Sequence, residues 1–201
     1  MNYQNLLVVK GDLAVRGNNM QKEFEIKSKV ESISEIRKKL KKIGARKIGI
    51  KRNVDIYYTP ESGEKYYGNR SRLKFRIRFD GESDKGRLEV HKILNLHEAI
   101  EYELPVGDVK MVKIMLKELR FKQCSIVDKV RESYKYGSLN IELDKVKELG
   151  EFMEVEIMNS DRNKAVKRIN EFYKKIGVSK KDFIIGGGYG EMMIKHNQKS
   201  K

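Results

Sequence analysis

The sequence predicts an α+β fold built from about eight antiparallel strands and three amphipathic helices. Nearly every strand-like segment alternates charged with apolar residues, which places the two kinds on opposite faces of a strand. Short turns separate most of these segments, and short connections are typical of antiparallel neighbours. Three other segments repeat apolar residues at helical spacing, so they need an apolar surface to cover.

The composition favours a globular protein with anionic partners. A length of 201 residues and a hydrophobic content of 39% suit one domain with a core. Lysine and arginine number 44 against 29 acidic residues, which gives a formal net charge of +15. This excess favours polyanions such as nucleic acid, nucleotides or polyphosphate.

Cysteine usage and hydropathy predict a cytoplasmic protein with no membrane partner. Cys124 is the single cysteine, which excludes an internal disulfide and a cysteine-cluster zinc site. The longest apolar run near the start, Leu6–Val9, is too short for a signal peptide. No run approaches the roughly 20 apolar residues of a membrane span.

We predict three parts along the chain. Residues 1–19 lack a clear period and precede Met20, so we expect a disordered leader or extension there. Residues 20–195 form a single domain, and residues 196–201 are a polar tail. The glycines at 186–188 lack the lysine and hydroxyl residue of a phosphate loop, and we interpret them as a hinge.

The first strand and the first helix are the most clearly patterned elements. In the segment 23–30 the charged residues share one face and the apolar residues the other. Ser32 and Glu35 then form a capping box, and apolar residues follow at helical spacing until Gly44. The charged face of the strand contains Glu23, Glu25, Lys27 and Lys29.

Four strands are predicted next, at 45–58, 73–79, 86–93 and 98–106. All but the strand at 86–93 have polar residues that we assign to one face. The phases contain Asp55 and Tyr57; Lys74, Arg76 and Arg78; and Glu101 and Glu103.

The rest of the chain contains two helices and three strands. Asp108 caps a helix whose buried stripe we predict as Val112, Met115, Leu116 and Leu119. Strands at 121–135, 138–146 and 150–157 precede a helix at 161–176. Their polar phases contain Lys129, Arg131, Asp144, Glu154 and Glu156.

Two arrangements fit these patterns. In the first, the strands close into a tunnel with charged residues inside and apolar faces outside, beneath the helices. In the second, an open sheet keeps its charged face in solvent and binds RNA. Inside a tunnel, carboxylates would hold a hard divalent cation, and lysines and arginines would neutralise phosphates.

A series of short motifs resembles the CYTH superfamily of triphosphate tunnel metalloenzymes. Residues 23–27 match its Glu-x-Glu-x-Lys signature, and further matches follow in order up to about residue 176. These are Asp55-x-Tyr57, Arg76-x-Arg78, Lys92, Glu101-x-Glu103, Lys129-x-Arg131 and the segment Leu143–Glu156.

The resemblance implies an eight-stranded antiparallel tunnel with a charged lumen, helices packed outside, and Mg²⁺ or Mn²⁺ as cofactor. It implies catalytic roles for Lys27, Lys92 and Glu25. The implied metal ligands are Glu23, Glu25, Asp144, Glu154 and Glu156. The triphosphate contacts are Lys27, Lys29, Arg76, Arg78, Lys92, Lys129 and Arg131.

Two positions depart from the pattern. An arginine is usual two residues before Glu101, where this chain has Ala99. Lys92 shares its strand phase with Leu88 and Val90, so His91 is the alternative tunnel residue if the strand has no bulge.

The expected function is metal-dependent processing of a triphosphate compound, either ATP or tripolyphosphate. Hydrolysis is favoured. The segment Leu143–Glu156 and the residues 188–192 resemble the class IV adenylyl cyclase branch, which makes cyclic AMP formation the alternative. A second alternative is a polyphosphate- or RNA-binding module without turnover, although nucleic acid is the less favoured ligand. A homodimer is compatible with the sequence.

Overall fold

The strands of the protein follow the predicted order. The structure is a computed structural model that describes residues 22–61, 73–95, 98–159, 161–184 and 187–199, so the predicted leader at 1–19 lies outside the described residues. The strands are β1 (Lys22–Lys29), β2 (Arg46–Pro60), β3 (Leu73–Phe79), β4 (Gly86–Asn95), β5 (Glu98–Val106), β6 (Phe121–Tyr136), β7 (Leu139–Val146) and β8 (Gly150–Asn159).

Four helices accompany the strands in the described ranges. They are α1 (Ile33–Lys42), α2 (Val109–Glu118), α3 (Arg162–Lys175) and α4 (Tyr189–Lys199). The predicted starts of the first three are confirmed, because the side chains of Ser32, Asp108 and Asp161 accept hydrogen bonds from backbone N–H groups of their first turns. None of the described helices has the length and apolar character needed to span a membrane.

The eight strands form a closed antiparallel barrel in the order β1-β5-β4-β3-β2-β6-β7-β8. β1 closes the ring. It pairs with β8 over its whole length but with β5 only at Glu23–Ala99 and Phe24–Glu98. Closure confirms the predicted tunnel and excludes the open sheet.

The apolar faces of the strands point outward, and helices cover part of them, whereas Ile48, Ile50 and Ile126 stay exposed. Helices α1 and α3 pack on β1, β7 and β8, where Phe24, Ile141 and Val155 are buried. Helix α2 packs with β2 and β3 around Ile77 and Leu116. The charged faces are thereby left for the lumen.

Helix α2 buries a narrower stripe than predicted. Val109 and Leu116 are buried, but Met115 and Leu119 are 55% and 65% exposed. The helix therefore presents only the row containing Val109, Val112 and Leu116 to the barrel. Met115 and Leu119 lie to one side of that row.

Helix α4 was not predicted. The sequence predicts a hinge at 186–188 and a polar tail from 196, but residues 189–199 are helical, so the predicted tail boundary falls inside α4. The helix packs at one end of the barrel, where Tyr189 and Met193 bury themselves against Tyr57, Val127 and Phe152.

Candidate active site

The β1–β8 ladder gathers three of the predicted acidic residues on the lumen side. Glu25 lies opposite Glu156 in the register, and Lys27 lies opposite Glu154. One carboxylate oxygen from each of Glu25, Glu154 and Glu156 lies within 4.8 Å of the other two. Hard oxygen donors at this spacing suit Mg²⁺ or Mn²⁺, so these side chains fit a divalent metal. The side chain of Glu23, the fourth predicted carboxylate of this ladder, lies outside the described part.

Lys27 joins two members of the acidic cluster. Its Nζ lies 3.0 Å from Glu25 Oε1 and 2.8 Å from Glu154 Oε1. Burial favours the neutral amine, but the charges of Glu154 and Glu25 outweigh it and raise the pKa of Lys27. The side chain is therefore a fixed positive charge. Lys29, two residues further along the same face, is exposed.

A second group of charges lies on β6 and β7. Lys129 Nζ donates to Asp144 Oδ2 at 2.9 Å, and Arg131 Nε donates to Asp144 Oδ1 at 2.6 Å. Arg131 Nη2 also contacts Glu154, which links this group to the acidic cluster. Burial, reinforced by the charge of Arg131, lowers the pKa of Lys129 to about 8.

The predicted metal-binding role of Asp144 is not supported by its surroundings. Asp144 lies opposite Arg131 in the β6–β7 register, and its two oxygens are bound by Arg131 and Lys129. It is fully buried and has no place in the carboxylate cluster of Glu25, Glu154 and Glu156. Asp144 thus fixes two cations and lies outside the three-carboxylate cluster.

The predicted arginines of β3 are held by two fully buried carboxylates. Arg78 makes a bidentate contact with Asp55, with Nε–Oδ1 2.6 Å and Nη2–Oδ2 2.7 Å. Arg76 donates from Nε to Glu89 Oε2 at 2.7 Å and from Nη1 to the Tyr57 hydroxyl at 2.9 Å. Although burial opposes ionisation, the arginines lower the pKa values of Asp55 and Glu89. The guanidinium groups are fixed before any ligand binds.

Glu89 was missed by the sequence analysis. It follows the strand phase of Arg87 and His91, a signal that was present in the alternation of β4. Asp55 was recognised as part of a motif but was given no role. Because the partner carboxylates come from β2 and β4, their pairing with β3 depends on strand register.

Lys92 lies outside the tunnel, contrary to its predicted role. The register of β4 with β3 is regular through Lys92, and its irregularity against β5 falls beyond that residue. Without a bulge, Lys92 stays in phase with Leu88 and Val90, which pack in the outer cluster under α2. Its own side chain is exposed.

His91 takes the tunnel position instead. Its Nδ1 lies 3.1 Å from Glu101 Oε1, and its Nε2 lies 3.4 Å from Glu89 Oε2. The imidazole thus spans carboxylates of β4 and β5. The strand phase thus agrees with the alternative that the sequence offers for this position.

Three buried polar atoms have no hydrogen-bond partner among the described residues. Asn53 Nδ2 and Ser125 Oγ belong to strands β2 and β6, at positions that face the lumen, and Tyr189 Oη belongs to helix α4. Buried polar groups are normally satisfied, so such atoms mark places for water or ligand. The lumen can therefore accept further polar groups beside its fixed charges.

A closed antiparallel barrel with a lumen of paired carboxylates, lysines and arginines defines a tunnel-type charged-ligand site. The CYTH domain family model matches residues 21–187. The chain belongs to the CYTH family, which confirms the resemblance.

Three relatives illustrate the similarity. A Methanocaldococcus jannaschii protein named "Putative adenylate cyclase" is 30% identical over 179 residues, which cover 85% of this chain and 97% of that protein. A structure from Pyrococcus horikoshii OT3 is 25% identical with a TM-score of 0.72, covering 86% of this chain and 98% of that one. A Hippeastrum "Putative adenylyl cyclase", described as having a dominant triphosphatase activity, shares the fold with a TM-score of 0.63. It is 14% identical, and the match covers 89% of this chain and 96% of that one.

Proposed function

We propose that the protein is a metal-dependent enzyme that hydrolyses tripolyphosphate or a nucleoside or other organic triphosphate in the lumen of the barrel. Membership of the CYTH family supports triphosphate processing. The observation that carries the proposal is the joining of the two charge groups. Glu154 contacts both Lys27 and Arg131, so the acidic cluster and the cations of β6 belong to one continuous site.

The cations of the lumen suit a chain of phosphates. A triphosphate has negative charge on each phosphate, and arginine and lysine side chains from several strands can share it. Arg131 uses Nε and Nη2 in its contacts, which leaves Nη1 without a hydrogen bond to the described residues. We assign phosphate binding to Lys27, Arg76, Arg78, Lys129 and Arg131.

Glu25, Glu154 and Glu156 are the residues that would hold Mg²⁺ or Mn²⁺. A metal bound there would offset negative charge that develops on the phosphate oxygens. Glu25 has 37% of its side chain exposed, so solvent water reaches it. We assign Glu25 as the group that orients the attacking water and accepts its proton.

His91 replaces Lys92 in the proposed site. Both ring nitrogens face carboxylates, so we assign His91 the role of holding these carboxylates in the lumen wall beside the phosphate site. Its neighbours Glu89 and Glu101 fix the orientation of the ring. Ala99 supplies no charge at the position where an arginine is usual.

The test is incubation of the protein with tripolyphosphate and, separately, with ATP, each with Mg²⁺ or Mn²⁺. We expect orthophosphate release that stops when EDTA removes the metal. Cyclic AMP and pyrophosphate from ATP, without orthophosphate, would contradict hydrolysis. A matched variant, Glu25→Gln, should lose turnover while its melting temperature stays close to that of the wild type.

Cyclic AMP formation is the second candidate, favoured by the name of the M. jannaschii relative and by its near-complete coverage. In that reaction the ribose 3′-hydroxyl would attack the α-phosphorus and pyrophosphate would leave. The same lumen cations serve either reaction. The products of ATP in the assay above distinguish them.

A binding module without turnover is the third candidate, favoured by Ala99 and by the net charge of +15. It would bind tripolyphosphate or RNA in a strongly salt-dependent way and release no product with either metal. Any metal-dependent product from the wild-type protein contradicts it.

A further inference from the structure

Helix α4 brings a tyrosine into contact with two lysines of the phosphate site. The ring centroid of Tyr189 lies 4.4 Å from Lys27 Nζ and 4.7 Å from Lys129 Nζ. These two lysines come from β1 and β6, which are not neighbours in the barrel. Both distances are within the roughly 6 Å range of a cation–π interaction. One aromatic ring therefore orients two ammonium groups.

The hydroxyl of Tyr189 is buried without a partner. The residue is 3% exposed, and Oη makes no hydrogen bond to the described residues. Burial, together with the charges of Glu154 and Asp144, raises the pKa of Tyr189 well above its ordinary value, so the hydroxyl stays protonated. A buried donor without an acceptor costs free energy unless a ligand supplies one.

The lysines beside the ring also have donors to spare. Apart from the Tyr189 ring, Lys129 Nζ contacts only Asp144 among the described residues, and Lys27 Nζ contacts Glu25 and Glu154. Each ammonium group carries three N–H donors. A phosphate group that binds both lysines must therefore lie next to the ring of Tyr189.

The docking of α4 is tight, so the tyrosine is held in place. A Cβ on Gly190 would lie 3.0 Å from ring atoms of Tyr57, and a side chain there would push the helix away. Phe152 packs against the Tyr189 ring with centroids 5.1 Å apart. Glu191 Oε1 lies 3.9 Å from Lys74 Nζ. These contacts fix the first turn of α4 in the end of the tunnel.

We propose that Tyr189 is a triphosphate-binding residue whose ring orients Lys27 and Lys129 and whose hydroxyl donates a hydrogen bond to a phosphate oxygen. This inference rests on the proposed binding of triphosphate in the lumen. It assigns α4 a part in the site beyond covering the barrel end. The part of the triphosphate beside Lys27 and Lys129 would bind next to the first turn of α4.

The experiment compares Tyr189→Phe and Tyr189→Leu with the wild type, using tripolyphosphate and Mg²⁺ in a calorimetric titration. Tyr189→Phe keeps the ring and removes the hydroxyl, so we expect the Kd to rise on the order of tenfold. Tyr189→Leu also removes the cation–π contacts and should raise it further. The control is Tyr136→Phe, because Tyr136 also lies beside a lysine, Lys175, but outside the tunnel. Its Kd should match the wild type.

Melting temperatures separate ligand binding from packing. Removal of an unsatisfied hydroxyl should leave the melting temperature of free Tyr189→Phe equal to or above the wild-type value, while the increase caused by tripolyphosphate becomes smaller. A Kd within twofold of the wild type for Tyr189→Phe would overturn the proposal, whether or not the free protein is destabilised.

Failure of the proposed function has a different signature. Wild-type protein that binds tripolyphosphate but releases no orthophosphate contradicts hydrolysis and leaves the role of Tyr189 testable by the same Kd values. Wild-type protein that binds neither tripolyphosphate nor ATP overturns both.

Discussion

The two sides of the lumen use the same charged residues in different ways. On the β2–β3–β4 side, Arg76 and Arg78 share two fully buried carboxylates, Asp55 and Glu89, and Arg87 also contacts Glu89. Both carboxylates of this surface, the arginine wall, are therefore held by arginines. On the β1–β8 side, Glu25, Glu154 and Glu156 gather their oxygens within 4.8 Å, with Lys27 as the lysine between them.

The difference indicates that the two sides have different roles in ligand binding. Like charges in close proximity are unfavourable, so a cluster of three carboxylates is stabilised by cations, including a metal. In the arginine wall each carboxylate already has arginine partners, so this surface needs no metal and is rigid by itself. We infer that the β1–β8 side responds to metal and substrate, whereas the arginine wall supplies a fixed surface.

The largest expected effect tests the rigidity of the arginine wall. Asp55→Asn removes the charged partner of the bidentate Arg78 contact and leaves Arg76 and Arg78 with Glu89 alone. Breaking a buried ion pair typically costs about 3–5 kcal/mol. We expect the free energy of unfolding, measured with urea, to fall by that amount. Asp128→Asn removes a similar bidentate contact, to Arg52, on the outer surface and should cost less than about 1 kcal/mol. Equal losses for the two variants would contradict the comparison.

The pH dependence of unfolding should report on the same buried ion pairs. The pKa values of Asp55 and Glu89 are lowered in the folded protein. Their contribution is fully present above their ordinary pKa values, near 4, and is lost as the pH falls towards the lowered values. The free energy of unfolding should therefore fall between about pH 5 and pH 2, and it should fall less steeply in Asp55→Asn. Identical slopes would show that Asp55 is not the titrating group.

The next effect concerns the acidic side. Glu154→Gln removes the carboxylate that joins Lys27, Arg131 and the metal candidate site, and turnover should drop about a hundredfold or more. The control, Glu132→Gln, changes a buried carboxylate on the outer face, where it contacts Arg37 and Lys47. That variant should be less stable but keep its turnover. A similar loss of turnover in both would point to a general effect of folding.

A smaller effect distinguishes neighbouring residues of β4. His91→Ala removes the imidazole that lies between Glu89 and Glu101 in the lumen wall. We expect the KM for tripolyphosphate to rise about tenfold, because these carboxylates lose a hydrogen-bond partner beside the phosphate site. Lys92→Ala changes an exposed outer residue and should leave KM unchanged. Steady-state kinetics of the two variants check the strand phase. The opposite pattern would restore Lys92 as the tunnel residue.

The smallest effect is expected at Lys29. Lys29 is exposed and forms no ion pair with the described residues. Lys29→Ala should change the Kd for tripolyphosphate by less than about twofold, because exposed charges contribute little. Lys27→Ala, which removes the buried neighbour, provides the contrast in the same titration. A large increase in Kd for Lys29→Ala would instead make Lys29 part of the phosphate-binding site.

Many features of the site followed from strand phase alone. Glu25, Lys27, Arg76, Arg78, Lys129, Arg131, Glu154 and Glu156 all lie in the charged phase of their strands. Charges two residues apart share a face whatever the tertiary structure. The pairing of Arg78 with Asp55 could not be predicted in this way, because it depends on which strands are neighbours and in which register.

The sequence by itself determined the eight strands, the capped starts of α1, α2 and α3, and the separation of charged from apolar faces, because these depend on local spacing. The tertiary structure decided the closure of the barrel and the change from Lys92 to His91. It also decided the use of Asp144 as an anchor for cations and the insertion of Tyr189 between Lys27 and Lys129. These four depend on register and on docking between segments far apart in the chain, which local periodicity does not specify.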